Sequence, residues 1–200
     1  DALQLGDVAR LRAGTAALVR MVRDLNQPAD LWIVPTVEAQ RALLDGRFSD
    51  VERLAEAIVA EPTRRTNAAQ MGSALLFIVR REQGRVGELE AGLKSLVYQY
   101  PNVTVWRASL AWLYSESGRD AEAQAEAEPL ARADCGAIPR DLTWLYTVSC
   151  LASVYAQSGS PAQVAMVAAA LAPFAGRNVV AGPFFSLAPV DYYLGLLATR

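Results

Sequence analysis

Paired carboxylates beside two glycine-containing turns are the residues of this chain that could perform acid–base chemistry. Glu82 lies near Glu88, and Glu116 lies near Asp120. A general acid needs a carboxyl group whose pKa is raised by burial. We expect both pairs at surface turns, where water keeps a carboxylate ionised. The pairs therefore do not predict an enzyme.

Histidine is absent from the 200-residue chain, and its absence removes several kinds of chemistry. Histidine-based nucleophilic catalysis, histidine metal ligation and imidazole pH switching all require it. Cys135 and Cys150 do not have the CxxC spacing of zinc or thioredoxin-like sites. Cys150 lies in an apolar helical run, which favours a buried thiol, although a disulfide between the two stays open. We expect no cofactor and no metal.

The net charge of the chain argues against nucleic acid and anionic membranes as partners. The net charge is −2 and the isoelectric point about 5.3, so no global field draws the chain to nucleic acid or an anionic membrane. A possible basic strip consists of Arg64, Arg65, Arg80, Arg81 and Arg85. The neighbouring acids that favour a neutral, solvated face are Glu61, Glu82, Glu88 and Glu90. No apolar stretch is long enough to span a membrane and no signal-like segment occurs, so we expect a cytoplasmic protein.

Four glycines organise the chain. Gly46, Gly84, Gly118 and Gly159 are spaced 38, 34 and 41 residues apart, and each separates one helical pattern from the next. A repeat of this period with one turn per unit is typical of stacked helical hairpins. The spacing predicts an all-α, right-handed superhelical stack of antiparallel hairpins, in a single domain over residues 1–200.

The apolar periodicity places the elements of this stack. A leading helix covers about 8–23, and hairpins cover about 31–60, 68–100, 103–133 and 141–172. An apolar loop follows over 176–189, and a last helix over 190–200 is cut off by the chain end. Residues 178–180 are the one strand candidate, too short to pair convincingly. Because the chain stops inside a helical pattern, we expect a fragment of a longer polypeptide.

The hairpins resemble tetratricopeptide repeats (TPRs). In the third hairpin Leu110, Ala111 and Tyr114 precede Gly118 by eight, seven and four residues. In the fourth, Leu151, Ala152 and Tyr155 precede Gly159 by the same offsets. The repeat places small residues where its helices approach closely, a tyrosine between hairpins and a glycine at the turn. The second hairpin departs from this pattern, with Phe77 at the small position and Arg80 at the tyrosine position.

A second resemblance covers nearly the whole chain. The strings that carry it are 41–48, 52–55, 80–85, 139–141, 173–180 and 193–198. They look like the C-terminal helical-repeat region of large bacterial signalling proteins. That resemblance implies that the region follows an ATP-binding module of the STAND/AAA type, in a parent with a LuxR-type DNA-binding domain or a class III nucleotidyl cyclase domain. No Walker A string occurs in this chain, so no nucleotide-binding residue is carried over.

Aromatic residues are the candidates for partner contact. Those that we single out are Trp106, Tyr114, Trp144, Tyr155, Phe184 and Phe185. The tryptophans lie on the first helices of hairpins, where core packing is the default and a peptide anchor on the concave face is the alternative. Phe184 and Phe185 lie in the apolar loop, where they either cover the last hairpin or form a contact site.

These observations predict a non-catalytic interaction or regulatory scaffold of a bacterial signalling or transcriptional regulator. Its concave groove would bind a protein partner or the ATPase module of the same polypeptide, without direct contact to nucleic acid or membrane. A small-molecule effector-sensing domain, a free-standing TPR adapter and a DNA-binding module are the alternatives. A homodimer also stays open.

Overall fold

A computed structural model describes residues 2–27, 30–60, 66–132, 135–136, 138–181 and 185–200. Over these residues the chain is mostly helical, with ten α-helices and little strand, which confirms the expected helical class. The described chain divides into two compact units. The N-terminal unit comprises residues 7–85 with Ala2, and the C-terminal unit comprises residues 3–6 and 86–200. The division falls inside the hairpin predicted over 68–100.

The N-terminal unit contains four helices that pack in chain order. They are α1 (Val8–Leu25), α2 (Ile33–Leu44), α3 (Phe48–Ala60) and α4 (Thr66–Glu82). Each helix contacts the next one along the chain. The interior is aliphatic because each helix turns one apolar stripe inward. Its fully buried side chains include Val37, Val51, Ala55, Leu75 and Val79.

The C-terminal unit contains six helices. They are α5 (Glu90–Gln99), α6 (Thr104–Glu116), α7 (Asp120–Ala131), α8 (Trp144–Ser158), α9 (Pro161–Leu171) and α10 (Val190–Ala198). Short 3₁₀ turns at Val86–Glu88 and Ala172–Phe174 precede α5 and follow α9. Helix α6 packs against α7, and α8 packs against α9, as expected for hairpins over 103–133 and 141–172.

Helix α8 is the centre of the C-terminal unit. Every residue over 144–155 is buried, and the helix contacts α6, α7, α9 and α10. A helix that is apolar on all sides is stable only when other elements cover every face. Two of its hydroxyl groups bond within the helix: Ser149 donates to the Leu145 carbonyl at 2.8 Å, and Thr147 donates to the Thr143 carbonyl at 3.0 Å.

A β-hairpin follows helix α9, where we had expected an apolar loop with no convincing strand pairing. Strand β1 (Asn178–Ala181) pairs antiparallel with β2 (Phe185–Pro189), with Val180 opposite Ser186. Val179 is fully buried, and β1 contacts α8. The short strand is therefore stabilised by packing on α8, a contact that strand length alone does not reveal.

Three of the four repeat glycines close their turns in the left-handed conformation. Gly46, Gly84 and Gly118 have φ of 72°, 72° and 70°. After each glycine, the N–H of an arginine donates to the carbonyl five residues back, at 2.8 to 2.9 Å. These bonds run from Arg47 to Ala42, from Arg85 to Arg80 and from Arg119 to Tyr114. This is the Schellman arrangement, which needs a residue that tolerates positive φ.

The fourth glycine is required for a different reason. Gly159 is extended, with φ of −73° and ψ of 151°. A Cβ there would lie 2.6 Å from the Cβ of Tyr155, so the close approach excludes a side chain. Ser160 then caps α9 through a capping box with Gln163, and Pro161 begins the helix as predicted.

Replacement of Gly118 by alanine tests the left-handed turn. We expect Gly118→Ala to lower the free energy of unfolding by about 1 kcal/mol, because alanine pays a steric cost at positive φ. The matched control is Gly92→Ala in α5, where a Cβ meets nothing within 4 Å and a better helix former is introduced. Urea unfolding of both variants gives the comparison. Equal stability of the two would contradict the turn assignment.

Candidate interaction surface

Four of the predicted interaction residues lie in the core. Trp106, Tyr114 and Trp144 are each 4% exposed, and Tyr155 is fully buried. Burial raises the pKa of Tyr155 to about 12, so the phenol stays neutral. These four side chains pack in the core, which was the default expected for the tryptophans, because neighbouring helices cover the helices that carry them. The other two candidates, Phe184 and the side chain of Phe185, lie outside the described residues.

An ion-pair cluster of Glu52, Arg80 and Arg85, which we call a clasp, joins α3 to α4 and to the turn that follows α4. Glu52 on α3 accepts hydrogen bonds from Arg85 Nη1 at 2.9 Å and from Arg80 Nε at 2.9 Å. Only 18% of the Glu52 side chain is exposed. Arg85 first, and then Arg80, holds the pKa of this carboxyl below its usual range.

A second clasp with the same layout occurs in the C-terminal unit. Glu90 on α5 accepts from Arg119 Nη1 at 2.7 Å and pairs with Lys94 Nζ at 2.7 Å. The Tyr114 hydroxyl donates to the same carboxylate at 3.4 Å. The guanidinium of Arg119 also lies 4.3 Å from the centre of the Tyr114 ring, and it pairs with Glu122. Arg119, followed by Lys94, lowers the pKa of Glu90 to about 2.

The two clasps occupy equivalent positions of the repeat. In each, the acid lies six residues after one turn glycine, and the arginine lies one residue after the next turn glycine. A second donor lies four residues before that second glycine: Arg80 in one clasp and Tyr114 in the other. Arg80, which departs from the tyrosine of the TPR pattern, therefore donates to the same acceptor position as Tyr114.

The same position after the third turn glycine forms a neutral contact instead of an ion pair; we call each such contact between successive turns a junction. Gln124, six residues after Gly118, donates to the Ser158 carbonyl and hydroxyl oxygens at 3.0 Å each. Gln163 donates to Gln124 Oε1 at 3.4 Å. The position six residues after a turn glycine therefore bonds to the next turn region at three successive junctions. The first two junctions are ionic and the third is neutral.

A row of arginine and aromatic side chains is present in the C-terminal unit, which we call the Arg–aromatic row. It consists of Arg140, Trp144, Phe174 and Arg177. The Arg140 guanidinium lies 3.8 Å from the Trp144 ring centre, and the Trp144 and Phe174 ring centres are 5.3 Å apart. Arg177 lies 6.0 Å from the Phe174 ring centre. Both arginines are exposed; Arg140 stacks on its ring, and Arg177 lies at the outer limit of a cation–π contact.

The expected basic strip is neutralised, in part by acids that the sequence did not single out. Arg80 pairs with Glu52 and Glu56, and Arg81 pairs with Glu82, at 2.8 to 3.1 Å. The strip residues Arg64 and Arg65 and their neighbour Glu61 lie outside the described residues. Glu52 was missed because its partners are about 30 residues away along the chain.

The part of the chain that the structure describes contains no group of three or more metal-binding side chains. No described helix has both the length and the apolar content needed to cross a bilayer. Cys135 and Cys150 are both buried and are not joined in a disulfide.

Comparison with known proteins returned no match at any level. No family model, no curated protein and no solved structure matches this chain. The inference of function therefore depends on the geometry of the chain itself and on the two resemblances carried by its sequence.

Removal of the Glu52 charge tests the first clasp. We expect Glu52→Gln to lower the free energy of unfolding by about 1 kcal/mol, because two charge-assisted hydrogen bonds become neutral ones. Glu38→Gln on α2 is the matched control, since Glu38 is exposed and forms no ion pair among the described residues. Chemical unfolding measures both. A control that loses as much stability as the test variant would contradict a specific role for the clasp.

The pKa of Glu90 predicts an acid-dependent contribution to stability. Its folded value of about 2 lies below the ordinary value of 4.5, so between these values the unfolded chain binds more protons than the folded one. The stabilisation is complete above about pH 4.5 and is lost as the pH falls toward about 2. We expect Glu90→Gln to flatten this part of the stability profile. Glu128→Gln, which removes an exposed carboxylate of α7 without an ion pair among the described residues, should leave the slope unchanged.

Proposed function

We propose that this chain is a non-catalytic protein-interaction scaffold of a bacterial signalling or transcriptional regulator. Its hairpins form a TPR-like, right-handed stack that works in the cytoplasm. It binds a protein partner, or the ATPase module of the same polypeptide, and holds that partner in place. The chain itself carries out no reaction.

The recurrence of the clasps is the observation that carries this proposal. The same two positions, six residues after one turn glycine and one residue after the next, form ion pairs in two successive repeats. Solenoid proteins are stabilised in this way, because each repeat contacts its neighbours through equivalent residues. Such stacks expose long surfaces suited to binding extended segments or other domains.

The buried aromatics also favour a scaffold. The tyrosines at the equivalent positions Tyr114 and Tyr155 lie in the interior, where they fill the space between helices as a repeat tyrosine does. A binding role then belongs to other residues that reach solvent. Interaction through exposed side chains on a rigid helical core is the arrangement by which repeat proteins recognise partners.

The coding sequence on both sides of this chain and a binding assay test the proposal. We expect an upstream nucleotide-binding module in the same reading frame, joined to a cyclase or helix-turn-helix segment. The purified module should bind residues 1–200 saturably in calorimetry, and the chain alone should turn over no ATP. ATP turnover by the chain, or no binding to its own module or to any protein encoded with it, would contradict the proposal.

A further inference from the structure

The two arginines of the Arg–aromatic row lie near aromatic rings and form no ion pair with a described acidic residue. Arg107 and Arg119, in the same unit, form ion pairs with Glu126 and Glu90. Arg140 and Arg177, in contrast, form no ion pair with any described residue, and their recorded side-chain contacts are with rings. A guanidinium that lies on a ring keeps its N–H groups available for a carboxylate.

The acids nearest to these arginines along the chain bind other groups. Asp141 Oδ1 accepts from the Thr143 N–H and hydroxyl at 2.8 Å each. Asp191 Oδ2 accepts from the Gly176 N–H at 2.8 Å. Both carboxylates therefore accept hydrogen bonds from local donors, and neither forms an ion pair with Arg140 or Arg177.

The neighbourhood of the row also contains apolar surface. Leu142, two residues after Arg140, is 74% exposed. Phe174 is half-buried, with its ring against that of Trp144 and near the guanidinium of Arg177. A ligand that meets the row thus encounters two fixed positive charges and an apolar side chain. An extended segment that alternates carboxylates with apolar residues matches this composition.

We propose that the Arg–aromatic row binds an acidic, extended segment of a protein partner, with carboxylates on Arg140 and Arg177. This inference deepens the proposed function, on which it rests, by naming the chemistry of the partner. A protein carboxylate fits better than a polyphosphate, because the chain carries a net charge of −2 and Asp141 and Asp191 lie beside the row. Their like charge disfavours the denser negative charge of nucleic acid.

The probe is a fluorescein-labelled ten-residue peptide of alternating glutamate and leucine, and its matched control has glutamine in place of glutamate. Fluorescence anisotropy with the full 200-residue chain should show saturable binding of the glutamate peptide. The glutamine peptide should bind at least about tenfold more weakly. Equal affinity for the two peptides, or no binding up to about 1 mM, would overturn the inference.

Variants of the row test the residues themselves. We expect Arg140→Gln and Arg177→Gln each to weaken binding about fivefold, because a planar amide can still cover the ring but carries no charge. Arg12→Gln is the matched control: Arg12 is an exposed arginine of α1 with no recorded ring contact, and its loss should not change the affinity. An equal loss in the control would reduce the effect to net charge and overturn the inference.

Two further measurements separate the possible outcomes. Circular dichroism melting of each variant distinguishes lost binding from lost folding. Only a variant that binds more weakly and still folds supports binding at the Arg–aromatic row.

Competitors test the chemical class of the ligand. Duplex DNA or phosphatidylglycerol vesicles that bind more tightly than the glutamate peptide, and displace it, would overturn the choice of a protein segment. A double variant that combines Arg140→Gln and Arg177→Gln separates this inference from the proposed function. If the partner module binds the wild type and this double variant equally, the Arg–aromatic row is not the binding site, while the scaffold function stands. If no module binds at all, the scaffold function itself fails.

Discussion

The left-handed glycine at the end of a first helix is the constraint on which the rest of the repeat depends. With φ near 70°, Gly84 and Gly118 reverse the chain within a residue, and the next N–H closes back onto the helix. That closure places Arg85 and Arg119 directly at the helix end, beside the donor four residues before the glycine. The arginine can then meet a carboxylate that belongs to the preceding turn. Backbone geometry at one residue thereby determines where the charges of successive repeats come together.

The burial of helix α8 determines which side chains of the C-terminal unit pack in the core and which reach solvent. Because other elements cover this helix on every side, its large aromatic residues are packed in the core. Trp144 is 4% exposed, and the guanidinium of Arg140 lies over its ring. The side chains that remain exposed around its first turn are polar or aliphatic, such as Arg140 and Leu142. The groups of this unit that reach solvent near α8 are therefore those that cover the core, and Arg140 among them lies on an aromatic ring.

Apolar periodicity and turn residues were sufficient to predict the mostly helical class, because apolar period and turn chemistry are local properties of a sequence. The clasps were not predicted, since they join residues about 30 positions apart. The sequence did contain a signal for them, because Glu52 and Glu90 each follow a turn glycine by six residues. Aligning the repeats beyond the turn glycines would place these two glutamates at the same position. The β-hairpin had no such signal, because β1 depends on burial against α8. The sequence left two readings of the aromatic candidates open, core packing and partner contact, since periodicity identifies an apolar face but does not show how many helices cover it.

The three junctions differ in how they respond to the surrounding solution. Ionic strength screens the Glu52 and Glu90 clasps, whose members are partly exposed, and leaves the neutral Gln124 junction nearly unaffected. Rising salt therefore weakens the Glu52 and Glu90 contacts more than the Gln124 contact. The difference comes from one position, where an amide at Gln124 stands in place of the carboxylates at Glu52 and Glu90.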